Sequence, residues 1–436
     1  MNAQTVLVAL LFLAGVIIAM FRPRALVYLL VFILLEPSRN LSLGNYVILG
    51  SVNLKYYEIV LALLYLGAVV NPRRPITACI RPSMAVFLLF ALVSLVRGVP
   101  YYGEAAFNQF RPLVSMGMCS VMPLLFRRPA DLKPVLRFFA VVMLLAGSVD
   151  VLEILRINPL SAWIQSGTRS MSVLGGTQGS MLAMVFLYLL AEHRTIIHHR
   201  FVVMGAISYA GVLAVLSASR GVWMGMISGV SCMVWFLPLR RKATMMAMAG
   251  LLVLFILAFF KSVQIERYNM SIYERWDSMF DPQEGTTRWR LDAWRAMMDD
   301  IRERPLSGWP LGSEPYFYVY SGGYYEAVAP HNEYLKIARY TGLPGLAAFL
   351  WFIVGIVVTA ARYLVRHLNT PMYYEVLGLL ACFIMHTVIS MVTQQFTTID
   401  ISAIIWALPG MISVYVSAGR EEEAAAAAAA ARPVEA

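Results

Sequence analysis

Apolar stretches about 20 residues long recur along almost the whole chain, and each is near the length that crosses a bilayer as a helix. They fall near residues 4–20, 24–36, 54–70, 82–97, 107–126, 133–155, 171–191, 200–217, 220–237, 243–261, 333–360, 371–392 and 396–418. In lipid the backbone must satisfy its own polar groups, so spanning segments are helices or closed barrels. Runs this continuous fit helices. The expectation is an all-α polytopic membrane protein with about 12 transmembrane helices, the short second run being half-inserted. Composition agrees, with 59% of the 436 residues hydrophobic and 14% charged, against about 45–50% and 25% in soluble domains.

The formal charge of +10 does not form a nucleic-acid patch, because it is dispersed among short loops. FRPR (21–24), NPRRPITACIR (71–81), FRRPADLK (126–133), EHRTIIHHR (192–200), PLRRK (238–242) and ARYLVRHLN (361–369) alternate with the apolar runs. The positive-inside rule assigns these loops, and the C-terminal tail, to the cytoplasm. The N-terminal run lacks a basic lead and a small-residue cleavage site, so it reads as a retained helix. Four scattered cysteines, none in a C-x-x-C pair, argue against a disulfide framework or a zinc site.

The outward segments are 37–53, 98–106, 156–170, 217–220, 262–330 and 393–396. Only 262–330 is long, and it carries seven basic against eleven acidic residues. The resulting division is a helix bundle (1–261), a periplasmic loop domain (262–330), C-terminal transmembrane helices (331–418) and a cytoplasmic tail (419–436). Within the loop, 287–304 reads as an amphipathic helix stopped by Pro305. Leu291, Trp294, Met298 and Ile301 line its apolar face, and Arg288, Asp292, Arg295 and Asp299 line another. Pro330 is placed to open the next helix.

Six arginines lie at or near outward helix ends, against the topological bias: Arg39, Arg97, Arg111, Arg156, Arg169 and Arg220. Arginine suits bidentate phosphate recognition, and an ionisable group at membrane depth suggests function; snorkelling to lipid headgroups is the plainer alternative. Arg220, in LSASRGVW, stands out because small neighbours allow close approach. In PHNEYL (330–335), His331 falls in the first turn of a helix, where free N–H groups and the dipole attract anions and favour neutral imidazole. It is a candidate proton acceptor or a capping histidine. Arg290, and its neighbour Arg288, lie on the loop helix. The cluster YFYVYSGGYY (316–325), with Tyr316 and Tyr324, suits stacking on sugars and equally suits a membrane interface.

No acidic outer motif for a divalent ion, no P-loop and no G-x-G-x-x-G is present, so neither metal nor cofactor is expected. Carboxylates in or beside the spans are few, at Glu58, Glu153 and Asp400. A coupled transporter would need more of them along a central path.

The chain resembles the O-antigen ligase and polymerase superfamily of bacterial inner membranes. The likeness covers the hydropathy layout and is sharpest over 285–350. There Arg290 precedes Trp294 by one turn, Pro305-x-x-Gly308 follows, and His331-Asn332 precedes Gly342-Leu-Pro-Gly345 by nine residues. Leu346 stands where ligases often carry Thr. The resemblance implies Arg220, Arg290 and His331 as functional residues; from residue type and position, Arg288, Arg111, Arg169, Asn332, Tyr316 and Tyr324 are the candidate substrate contacts. It implies a fold similar to the GT-C class. It also implies metal-independent glycosyl transfer at the periplasmic face, from an undecaprenyl-pyrophosphate-linked glycan to a lipid A-core sugar. A polymerase or a protein O-oligosaccharyltransferase would share the motifs, and a lipid-linked glycan flippase is the alternative of another class.

Overall fold

The computed structural model describes residues 13–35, 46–49, 52–79, 81–154, 176–192, 200–217, 219–238, 242–243, 250, 264–265, 270–271, 285–319, 324–326, 331–368, 370–398 and 401–430. Helices dominate them, as bilayer solvation demands of a polytopic chain. After a helical stretch at 13–21, the main helices are α1 (Pro23–Leu35), α2 (Tyr56–Val70), α3 (Pro82–Tyr102), α4 (Glu104–Val114), α5 (Met118–Leu125), α6 (Lys133–Ile154) and α7 (Gly176–Glu192). They continue with α8 (Arg200–Leu216), α9 (Arg220–Phe236), α10 (Gly285–Glu303), α11 (Glu333–Arg366), α12 (Pro371–Ile389) and α13 (Ser402–Ala430). Four of them contain segments long and apolar enough to cross a membrane: α3, α11, Met372–Ile389 of α12 and Ser402–Ala428 of α13.

Three differences from the sequence reading have local causes. The run 107–126 is not one helix: α4 and α5 are separated by a 3-10 turn, Ser115–Gly117, and Pro112 and Pro123 lie inside the two pieces, each removing a backbone donor. Three antiparallel hairpins, which the apolar pattern did not suggest, join Tyr46–Leu49 to Val52–Lys55, Gln264–Ile265 to Met270–Ser271, and Phe317–Val319 to Tyr324–Glu326. Buried carboxylates also include Glu192, Glu333 and Glu375. Most of 243–261, with Arg39, Arg156, Arg169 and Asp400, lies outside the described residues.

Among the described residues, basic side chains from the segments 21–24, 71–81, 126–133 and 361–369 are tied to one another or to the extension of α13 at one end of the bundle. Arg24 Nε donates to Leu125 O at 2.8 Å and pairs with Asp131 at 3.1 Å. Arg74 donates to Arg127 O. Glu421, in the extension of α13, pairs with Arg74 at 3.4 Å and Arg127 at 3.8 Å, and Glu423 meets His367 at 3.4 Å. The alanine-rich tail therefore starts as a helix strapped across the basic loops. Lys133 on α6 reaches the fully buried Glu375 of α12 at 2.6 Å. Between the two ends, Phe349, Phe352, Phe396 and Trp406 pack ring on ring, with Phe396 and Trp406 stacked at 4.6 Å.

At the opposite end, α11 breaks. Its 34 residues would measure about 51 Å if straight, against about 30 Å of hydrocarbon. Gly342 interrupts it with φ 70° and ψ 176°, a conformation that glycine adopts without steric cost. The bend is sharp. Tyr334 and Phe349 have ring centroids 6.2 Å apart, although 15 residues of straight helix would separate them by about 22 Å.

The Pro305–Gly308 turn docks into the break. Leu343 N donates to Pro305 O at 2.7 Å, and Trp309 N to Arg339 O at 2.6 Å. Gly308 has φ +63°, and a Cβ there would lie 2.6 Å from Gly342 N. On the other side of the turn, Arg97 of α3 donates to Ser307 O at 2.5 Å and Gly308 O at 3.1 Å. A Cβ at residue 342 would overlap the Leu306 carbonyl. Gly342→Ala is expected to destabilise the protein by about 1–3 kcal/mol, read as a lower Tm in detergent; an unchanged Tm would contradict the clasp.

Candidate functional site

The candidate residues Arg288 and Arg290 are carried on α10. Its buried face is Ala293, Met297 and Ile301, joined by Asp292 at 5% exposure, while Met298 is exposed at 42%. This corrects the expected face, on which Met298 was buried and Asp292 solvated. Small side chains let the hairpin strand Phe317–Val319 approach closely: Phe317 and Val319 pack on Ala293, with Trp289 and Ala296 beside them. Asp292 is held by Arg295 at 3.3 Å.

Trp289 links this packing to His331. Its ring lies 5.6 Å from Phe317 on one side and 5.5 Å from His331 on the other, between centroids. Arg290 follows directly on the same helix. The surrounding protein and then the Arg290 guanidinium push the His331 imidazole below the ordinary histidine value, because both disfavour the charged form. His331 as a residue is nevertheless exposed.

His331 has φ 49°, the one positive φ among the described non-glycine residues. Such strain costs about 1–3 kcal/mol and persists only where neighbours enforce it. Here the two residues that follow are fixed. Asn332 is the N-cap of α11, its side chain accepting from Tyr334 N and Leu335 N at 3.1 Å, and Glu333 N donates to Ser390 O at 2.9 Å.

The same contacts correct the expectation of an anion site at this helix start. The N–H groups of residues 333–335 already have acceptors, and Glu333, fully buried, places a carboxylate in the first turn. His331 itself lies before the cap, and Asn332 acts through its side-chain oxygen as the cap.

Arg220 is the first residue of α9 and is buried, at 7% exposure. Its N-cap, Ser219, makes no side-chain capping bond. Gly221 lets this helix start lie against the turn after α12: a Cβ there would fall 3.0 Å from Val392, 3.4 Å from Thr393 and 3.7 Å from Ile389. That turn also carries Ser390, the acceptor for Glu333 N. The starts of α9, at Gly221, and α11, at Glu333, therefore pack on the same turn, while Trp289 of α10, the residue before Arg290, lies against His331.

The other candidates are placed as follows. Arg288 is exposed on α10. Arg111 is engaged by Glu58, through Nε at 2.8 Å and a second close contact, and by Asn108 at 2.9 Å; this ion pair fastens the start of α2 to α4. Tyr316 is exposed, at 68%. Tyr324 lies in the return strand of the hairpin, its side chain outside the described residues, and Arg169 is outside them altogether.

Sequence reasoning missed a buried polar layer beneath His331. Lys336 donates to Gln394 at 3.1 Å and Thr397 at 2.9 Å, and Thr397 donates to Glu333 at 2.7 Å. Arg339, 2% exposed, pairs with Asp300. The signal was available: Glu333, Lys336 and Arg339 recur every third residue in a helix that leads into an apolar run, and charge there is costly.

No curated protein matches the chain. A family model described as O-Antigen ligase matches residues 205–350. That span holds Arg220, the whole of α10, the clasp at Gly342 and His331. Over this segment, about a third of its length, the chain is similar to that family.

Proposed function

We propose that the protein transfers a glycan from undecaprenyl pyrophosphate to a sugar hydroxyl of lipid A-core, at the periplasmic face of the bacterial inner membrane. The family supports a ligase- or polymerase-type activity with lipid-linked glycan and lipid A-core in general terms. The observation that carries the finer reading is the approach of Trp289 and Arg290 to the strained, exposed His331, at a turn shared with Arg220. In this reading the chain crosses the membrane about 12 times, with the arginine-rich loops and C-terminus in the cytoplasm.

Departure of the diphosphate is the hard step, because negative charge develops beside lipid. Arg220 and Arg290 stabilise that charge without a metal, by charge-assisted hydrogen bonds strongest where water is excluded. The start of α9 adds its dipole. His331, neutral near pH 7, takes the proton of the acceptor hydroxyl as oxygen attacks the anomeric carbon. Direct displacement inverts that carbon. The carbon–oxygen bond to the diphosphate breaks as the new glycosidic bond forms.

General-base assistance is typically about 10²–10⁴-fold, so His331→Ala should raise the barrier by about 3–5 kcal/mol. Arg220→Lys should also fail, since lysine cannot reproduce the guanidinium fork. Both are measured on normally inserted protein, with undecaprenyl-pyrophosphate-linked glycan and lipid A-core as substrates. Near-native transfer by both variants would refute the assignment. Transfer should survive exhaustive chelation; loss with EDTA and recovery with magnesium would contradict a metal-free reaction.

The pH dependence has a definite sign. A base with a lowered pKa remains deprotonated to lower pH, so the acid limb of kcat/KM should fall below the ordinary histidine value of about 6.5. Arg290→Ala removes the opposing positive charge and should move that limb upward.

A polymerase would use the same residues. Cells lacking the protein should keep polymerised glycan on the lipid carrier if it is a ligase, and should carry only single repeats if it is a polymerase. Transfer in detergent, without closed vesicles, would exclude a flippase as the whole function.

A further inference from the structure

The helices α10 and α11 are joined at two levels. At the first, the Trp289 ring lies 5.5 Å from that of His331, and Arg290, the next residue of α10, acts on the imidazole through its charge. At the second, Arg339 Nε donates to Asp300 at 2.6 Å, and Arg339 Nη1 donates to Ser313 O at 2.8 Å and Ser313 Oγ at 3.1 Å. Asp300 lies ten residues beyond Arg290, or about 15 Å of helix. Arg339 lies eight residues beyond His331, or about 12 Å. The two rungs therefore match in level, and fixing the second fixes the first.

The lower rung is built for register. The Arg339 side chain is 3% exposed and that of Asp300 26%. Trp309 braces both: its Nε1 donates to Asp300 O at 3.1 Å, and the Arg339 guanidinium lies 5.5 Å from its ring. Tyr340 OH adds a bond to Ser313 O at 2.9 Å. A buried ion pair is seldom the most stable filling of such a space, since apolar side chains often serve as well or better. Its directional bonds specify one alignment, which apolar packing does not.

We propose that Arg339 is a positioning residue, whose fork on Asp300 and Ser313 sets the register of α10 against α11 and thereby holds Arg290 beside His331. The inference deepens the reading of His331 as the base and rests on it. Arg290 is the charge that acts on His331 from α10. On its own helix, Glu333 and Lys336 are tied to each other through Thr397. The outer turn packed against that helix start presents Ser390, Gln394 and Thr397, none of them ionisable in this range.

The test uses the full-length protein in detergent, with undecaprenyl-pyrophosphate-linked glycan and lipid A-core, comparing the parent with Asp300→Asn, Arg339→Lys, Asp300→Glu and Arg290→Ala. Asp300→Asn should lower kcat by about 10–100-fold, as small misplacements do. It should also move the acid limb of kcat/KM upward, as Arg290→Ala does, and should move it no further when added to Arg290→Ala. Asp300→Glu, which keeps the charge, should recover part of both. If Asp300→Asn does not accumulate in the membrane, Arg339→Lys, which loses the fork and keeps the charge, carries the same comparison. A slower enzyme with an unmoved acid limb, or a shift that adds to that of Arg290→Ala, would overturn the positioning role and leave His331 as the base. Undiminished transfer by His331→Ala would instead remove the underlying reading.

Discussion

The break at Gly342 is the constraint on which the outer half of the molecule depends. A helix in lipid cannot open its backbone without leaving N–H and C=O groups in a medium that offers no partners, at about 1–3 kcal/mol for each buried group left unsatisfied. The chain meets this by sending a distant turn into the gap. Pro305 O accepts from Leu343 N, and Arg339 O accepts from Trp309 N. The two glycines serve one purpose: each has positive φ, and each lies where a side chain on the other's segment would collide. The motif that separates Pro305–Gly308 from Gly342 by a whole loop is therefore one structural joint. It ties the loop to α11 and, through Arg97, to α3.

Once the joint is closed, the first nine residues of α11 no longer continue its membrane-crossing part. They pack on the end of α12 and the turn after it, with Tyr334 OH donating to Thr387 O at 2.7 Å and Lys336 reaching Gln394 and Thr397. Phe396, carried by the same outer turn, is fully buried and stacks on Trp406. The floor beneath the candidate site is thus aromatic and buried, and the layer above it is polar and internally paired. Low polarity strengthens electrostatic interactions above such a floor. The fold places its costly charges where each has a partner, at Glu333 with Lys336 and at Arg339 with Asp300.

Much of this was legible in the sequence, for a physical reason. Bilayer solvation writes long, one-dimensional signals, so the ends of α6, α8, α9 and α12 fall within about three residues of the apolar runs. The helix over 285–303 and its stop at Pro305 were equally readable. Its face was not, because periodicity weighs large apolar residues, whereas close packing against the hairpin selected Ala293 and Met297 over Met298. Arg220, Arg290 and His331 were singled out by residue type and motif. What joins them was hidden, since it resides in backbone acceptors such as Ser390 O and in neutral side chains such as Thr397, which carry no pattern. Glu375 went unnoticed because its partner, Lys133, is 242 positions away.

The electrostatics of the two helix starts distinguish their roles in the proposed reaction. The start of α11 is closed to an anion: Asn332 and Ser390 occupy its N–H groups, and Glu333 adds negative charge in its first turn. That arrangement leaves the neighbourhood of His331 suited to a neutral hydroxyl whose proton is to be removed. The start of α9 differs, with the buried Arg220 as its first residue and an N-cap, Ser219, that makes no side-chain capping bond. Because both starts pack on the turn at 389–393, a diphosphate held at α9 would lie beside a hydroxyl at His331, with Arg290 entering from the loop. One short turn would then keep the acid-sensitive base and the charged leaving group adjacent yet on separate helices, so that binding the anion need not protonate the base.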